Sequence, residues 1–412
     1  MEQAVSPGRI GANLAKLQDS PTDAQNPSQH DSPSQQQTPL SAHNPEAAKR
    51  YARTKIGLGI LGTMVFFVLT LVLVATGATR AVENFVRSFV SNDYVALLAF
   101  AAVLGSLEIV VAFPLRFFSG FRLEHKYHLS NQTFPAWLWE GAKGVLVGLT
   151  LGTPVLVGLY YSLKTFGEWW WLPVGTFLFL VSVVLARVAP ILIFPLFYNF
   201  KPMADGEIKD RIVELCRMAG MSVKGVFVFD MSKNTKKANA AFAGIGRSRR
   251  VILGDTLIAN FTDEEIETIV AHELGHFKLR HIWVMLLVGT VNTFLGLYVT
   301  AAVYWASLSW FGFSTIDQLA ALPLLGLWLG VYSLIIGPVS NLISRVHERA
   351  ADRFAVLMSR KREAFANALR KLAVVNLADT SPHPVIEFLF HSHPSIEKRI
   401  RAIERISLDV KQ

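Results

Sequence analysis

The chain has 412 residues, of which 51% are hydrophobic and only 17% charged, with 28 Phe and 9 Trp. Soluble globular proteins carry about 25% charged residues, so this composition excludes an ordinary soluble domain and points to a membrane. The formal net charge is +9, but the basic residues flank the apolar runs, where they anchor a membrane protein and call for no nucleic-acid partner.

In chain order, residues 1–45 come first, rich in Ser, Pro, Gln, Asn and His. Such a segment buries too little apolar surface to offset its ordering entropy and reads as a disordered polar tail. His30 and His43 within it lack ligand spacing. No cleavable signal peptide is expected, because the first apolar run begins only near Ile56.

A window of about 19 residues then finds six apolar stretches, at about 56–78, 95–118, 144–163, 171–198, 282–310 and 319–342. Pro190 and Pro195 interrupt the fourth. Trp169, Trp170, Trp171, Trp305 and Trp310 fall near span ends, as an interfacial aromatic belt requires. An even number of spans puts both chain ends on one side. Lys and Arg concentrate before the first span, between Arg116 and Lys143, in 201–281 and in 344–412. The positive-inside rule therefore assigns the tail and the large polar segments to the cytoplasm. Glu108 falls inside the second span. A carboxylate there is costly in lipid, so it either has a function or faces a watery interior beside a basic group.

Residues 201–281 read as a small α/β unit. Apolar spacing predicts a helix over 205–219 and a strand over 223–229. Strands over 239–246 and 250–253, joined by Arg247-Ser248-Arg249, predict a β-hairpin. The cations around it (Lys233, Lys236, Lys237, Arg247, Arg249, Arg250) read as a solvated or headgroup-facing surface. Cys216 is the only cysteine; it excludes an internal disulfide and reads as a small buried hydrophobe.

A helix is expected from Thr262, where Thr262 and Glu265 fit a capping box. It carries His272-Glu273-Leu274-Gly275-His276. Residues four apart share a helix face, so both imidazoles can reach one metal, while Glu273 can address a water beside it as general base. A catalytic zinc needs three protein ligands. The candidate third ligand is Glu348, with Asp352 four residues on positioned to hold a ligating histidine from behind. His347 is expected not to ligate. His281, His125 and His128 lack ligand spacing and read as interfacial or structural.

The fold expected is mainly α: a polytopic membrane protein with about six transmembrane helices and a small cytoplasmic α/β zinc-peptidase domain containing a β-hairpin. Residues 46–200 would hold four spans. Residues 201–412 would form the peptidase domain with two further spans and a cytoplasmic C-terminal helical segment.

Several motifs occur in order: Phe121 to Tyr127 followed by Asn131-Gln132-Thr133; Pro195 to Phe200; Asn239 to Gly244; His272 to His276; Ser344 to Asp352; and Leu389 to Pro394 with Arg399 beyond. The chain resembles the integral-membrane CAAX prenyl protease type 1 family, zinc peptidases whose active site lies in a membrane-bounded chamber. The resemblance covers about residues 45–405. It implies one Zn²⁺ per chain held by His272, His276 and Glu348, Glu273 as general base, and Asp352 as the partner of a ligand. It further implies Asn239 on an edge strand beside the substrate, and His393 and Arg399 facing substrate or the developing oxyanion. The partners implied are membrane lipid and a peptide or protein substrate, lipidated or not. The family's eukaryotic members have seven spans, one more at the N-terminal end than is counted here. The membrane would be the inner membrane of a bacterium, where a broader role in membrane-protein quality control is expected, or the endoplasmic reticulum of a eukaryote. Competing readings are a site-2-type intramembrane metalloprotease, a zinc-binding transporter and a proteolytically silent membrane scaffold. A site-2-type enzyme usually takes an Asp ligand from a later span, and the sixth span contains none.

Overall fold

The computed structural model describes residues 44–244 and 249–408. The polar tail, with His30 and His43, and the hairpin-turn residues Arg247 and Ser248 lie outside the described residues, apart from the tail's last two positions. Those two already belong to a helix start. Asn44 caps it by accepting from the Ala47 N–H (3.0 Å), and Pro45 occupies the first turn, where its missing N–H leaves no bond unmade. Helix α1 (Pro45–Ala75) follows. A strongly amphipathic α2 (Ala78–Arg87) leads to α3 (Asp93–Phe117). A π turn over Phe118–Arg122 carries α3 into α4 (Leu123–Lys126).

Next come α5 (Phe134–Phe166) and α6 (Trp171–Val188). The two prolines of the fourth apolar stretch do not end it. Pro190 sits in a second π turn (Ala189–Ile193) and Pro195 in the first turn of α7 (Phe194–Phe197). A π turn absorbs the missing N–H that would otherwise break the helix.

The polar segment builds a four-stranded sheet from β1 (Phe200–Pro202), β2 (Val226–Phe229), β3 (Ala240–Ala243) and β4 (Arg250–Gly254), in the order β1-β2-β4-β3. The expected hairpin partners β3 and β4 are antiparallel, with Phe242 opposite Val251. β2 runs parallel to β4, with Val228 opposite Leu253, and β1 is antiparallel to β2. Helix α8 (Glu207–Met218) precedes β2; α9 (Asp255–Asn260) and α10 (Asp263–Lys278) follow β4.

Two further long helices are α11 (His281–Ser307) and α12 (Leu322–Ser359). The chain closes with α13 (Arg362–Val375), α14 (Pro384–Phe390) and α15 (Ile396–Glu404). Among the described residues, six helices are long and apolar enough to cross a membrane, as expected from the sequence. Large apolar side chains along them, including Leu71, Val110, Leu146, Val184, Leu287 and Ile335, are exposed. Such continuous apolar faces are costly in water and suited to lipid. Close packing between α11 and α12 uses Gly296, where a Cβ would come 2.6 Å from the Tyr332 ring. Glu108 is exposed on α3, with no cation within ion-pairing distance among the described residues.

The core around the sheet is separate in composition from the spans. Leu215, Val226, Leu253, Leu274, Val356, Phe365 and Leu369 pack together, joining α8, the sheet, α10, α13 and the end of α12. Cys216 lies in this core, and burial pushes its thiol up to about 11. A polar knot ties the core to the membrane helices. Glu124 accepts from the Tyr51 hydroxyl (2.7 Å) and pairs with Lys55 and with Lys237 (3.0 Å). Lys237 is therefore a structural cation rather than a solvated one.

Candidate metal centre

Helix α10 begins with the expected capping box. The Glu265 N–H donates to Thr262 Oγ1 (3.3 Å), and the Thr262 N–H donates to Glu265 Oε2 (2.9 Å). Ile266, Val270 and Leu274 bury one face of the helix in the core, which fixes the orientation of the residues beside them. His272 and His276 emerge one turn apart, with their Nε2 atoms 3.2 Å from each other.

Helix α12 crosses α10 at Gly275. A Cβ there would stand 3.1 Å from Phe354 and 3.3 Å from the Cα of Ala351, so the glycine sets how near the helices come. That approach brings Glu348 to the histidine pair. Its Oε2 is 3.4 Å from His272 Nε2 and its Oε1 is 3.2 Å from His276 Nε2. One ligand atom from each of the three residues lies within 4.8 Å of the others. Glu348 is only 3% exposed, so its carboxylate is buried against the imidazole nitrogens. A buried carboxylate needs a compensating positive partner; here it faces imidazole nitrogens, an arrangement that a cation would satisfy. Two imidazoles and one carboxylate suit a divalent metal of the zinc type.

The surroundings hold these groups in place. His272 Nδ1 lies 2.9 Å from Asp352 Oδ1. Burial disfavours the charged ring of His272, but hydrogen bonds to Asp352 and Glu348 outweigh it, and its pKa is pushed up to about 9. Asp352 also receives two hydrogen bonds from Arg399, Nη2 at 2.6 Å and Nε at 2.9 Å. Arg399 is buried, and its Nη1 points toward Glu348 Oε2 at 3.8 Å. His393 approaches Glu348 Oε2 to 2.8 Å through Nδ1 but keeps 60% of its side chain exposed. Thus the structure brings His272, His276, Glu348, Asp352, His393 and Arg399 to one locus.

Glu273 lies beside them. Burial lifts its carboxyl above the usual carboxylate range, against the pull of His272 and His276. It lines a cavity of ≈ 400 Å³ with Phe242, His276, Met285 and Ser344. Phe242 belongs to β3, the strand at the edge of the sheet. Asn239, just before β3, is exposed. Its carbonyl accepts from the Gly254 N–H (3.0 Å) and its Oδ1 from the Ala240 N–H (2.9 Å). Since backbone groups alternate along a strand, Ala240 and Phe242 turn theirs to the open edge.

Two contributors escaped the sequence reading. Arg345, buried on α12, donates through Nη1 to the carbonyls of Glu387 (3.1 Å) and His391 (2.6 Å) and so ties down the loop that carries His393. Its place in a run of polar residues at the end of an apolar span was the one available signal. His281 is the other: its Nδ1 lies 3.1 Å from His276 Nδ1. His125 is structural, bridging the carbonyls of Phe121 and Gln132 at 2.8 Å each.

Both halves of the chain match known families. Residues 202–407 match peptidase family M48, and residues 24–199 match the family described as CAAX prenyl protease N-terminal, five membrane helices. The chain is 29% identical to an uncharacterized metalloprotease, YhfN, of Bacillus subtilis, over 87% of this chain and 85% of that protein. It is 30% identical to CAAX prenyl protease 1 of Saccharomyces cerevisiae, over 78% of this chain and 75% of that protein. The crystal structure of S. mikatae Ste24p superposes with a TM-score of 0.79 at 25% identity, covering 90% of this chain and 92% of that one.

Proposed function

The chain belongs to peptidase family M48, and from that premise we propose that this multi-pass membrane metallopeptidase cleaves extended peptides at a zinc ion held by His272, His276 and Glu348. The observation that carries the reading is the convergence of two imidazole nitrogens and one buried carboxylate oxygen within 4.8 Å of one another. A zinc ion bound there would supply Lewis acidity, polarising the scissile carbonyl and making a water acidic enough to attack at neutral pH. Glu273 takes the proton from the attacking water and later delivers it to the leaving amine. Asp352 fixes the His272 ring through Nδ1. Arg399 holds Asp352 and leaves Nη1 beside Glu348, where it can meet the developing oxyanion together with the exposed His393.

The substrate enters as an added strand along β3. The open edge at Ala240 and Phe242 supports this, as does the cavity between Phe242 and Glu273. Asn239 Oδ1 already occupies the Ala240 amide, so it swings aside when a substrate carbonyl takes that donor. The preferred substrate is a membrane-associated peptide of the prenylated CAAX type, in keeping with the relatives named for that activity. We assign residues 46–200 to the membrane enclosure and 201–412 to the peptidase region. The lysines and arginines flanking the spans support a zinc site on the cytoplasmic side. Digestion of an unstructured peptide panel, with and without a C-terminal prenylcysteine, tests the reading. Faster cleavage of the prenylated members is expected. Equal rates would remove the lipid requirement, and no cleavage of any peptide would remove the substrate class.

A further inference from the structure

The two imidazoles of the metal centre are supported differently. His272 has the carboxylate of Asp352 at its Nδ1 (2.9 Å). His276 has no carboxylate there; its Nδ1 meets the Nδ1 of His281 at 3.1 Å. His281 is itself buried, and its ring stacks on that of His347 at 4.2 Å between centroids and 6° between planes.

The turn between α10 and α11 brings the two rings together. Arg280 adopts a left-handed conformation with φ 58°. That conformation is disfavoured for a residue other than glycine. It breaks the helix directly after Leu279, so that α11 starts at His281 in a new direction with its first side chain against His276. An unbroken helix would carry residue 281 away from residue 276, because positions five apart do not share a face.

We propose that His281 is a positioning residue for the metal centre. A His276 that ligates through Nε2 carries its proton on Nδ1. That N–H donates to the bare Nδ1 of His281, whose own proton is then on Nε2. The bond fixes the tautomer of His276 and aims its Nε2 at His272 and Glu348. Stacking on His347 holds the His281 ring in the required plane. Because His281 begins α11 and stacks on His347 of α12, two membrane-length helices brace one metal ligand through the His281 ring. The inference rests on the ligand assignment made above for His276.

Zinc affinity of the purified full chain, measured by competition against a chelator, tests it without recourse to activity. Thermal unfolding run in parallel reports whether each variant is folded. His281→Ala should weaken zinc about 10- to 100-fold, the usual effect of removing a partner that orients a ligand. His281→Asn offers a carboxamide oxygen as acceptor and should recover about tenfold of that loss. A folded His281→Ala protein that binds zinc like the parent overturns the proposal, as does an Asn variant as weak as the Ala variant. His276→Ala is the separating control. If it also binds zinc normally, the ligand assignment itself fails; if only His276→Ala loses zinc, the ligand stands and the positioning role falls.

Discussion

Arg399 and Asp352 form a two-pronged ion pair, at 2.6 and 2.9 Å, with both side chains buried. The same carboxylate holds His272, so one residue serves fold and site together. The pair joins α15, the last described helix, to α12.

Breaking this pair from one side leaves an uncompensated buried charge, at a cost of about 3–5 kcal/mol. Asp352→Ala should therefore lower thermal stability in detergent markedly. Combining it with Arg399→Ala should restore part of the loss, because neither charge then remains. Asp352→Ala should also weaken metal binding about 10- to 100-fold by freeing the His272 ring. A single variant as stable as the parent, measured by thermal unfolding, would contradict the pairing.

Metal binding should depend on pH in a defined window. Against the opposing effect of burial, hydrogen bonds to Asp352 and Glu348 push His272 up to about 9 in the metal-free protein. A raised pKa means the charged ring stabilises the metal-free fold fully below the ordinary 6.5, and that contribution is lost as pH rises through about 9. A metal must displace this proton. Affinity should therefore climb as pH rises toward about 9 and level off above it, as read by chelator competition at stepped pH. A flat profile would show that His272 needs no deprotonation.

The edge strand offers a separate test. By alternation, the Ala240 amide faces away from β4, so Ala240→Pro removes no ladder bond. It does remove a donor that an added peptide strand would use. One main-chain hydrogen bond is worth about 1 kcal/mol, so KM for an extended peptide should rise about fivefold with kcat nearly unchanged. Steady-state kinetics decide this, and an unchanged KM would place the peptide elsewhere.

Much of the site was legible because it is local. The Thr262–Glu265 cap, the spacing of His272 and His276 and that of Glu348 and Asp352 all lie within single helices, where position along the chain fixes the face. The six spans were legible because lipid demands long apolar runs. Contacts set by tertiary geometry were not. The parallel pairing of β2 with β4 needs a crossover that no short-range pattern reports. The approach of α12 to α10 depends on Gly275 meeting Phe354 and Ala351, which the spacing of one helix cannot reveal. His281 read as interfacial because five residues separate it from His276; only the left-handed turn at Arg280 brings the two rings together.

The most direct test of the central claim is a paired measurement on the parent protein and its Glu273→Gln variant, comparing bound metal per chain and peptide hydrolysis. Loss of a general base typically lowers the rate about 10²- to 10⁴-fold. The account predicts one zinc bound in both proteins, with hydrolysis lost only in the variant. A variant that binds metal and cleaves as fast as the parent would contradict it.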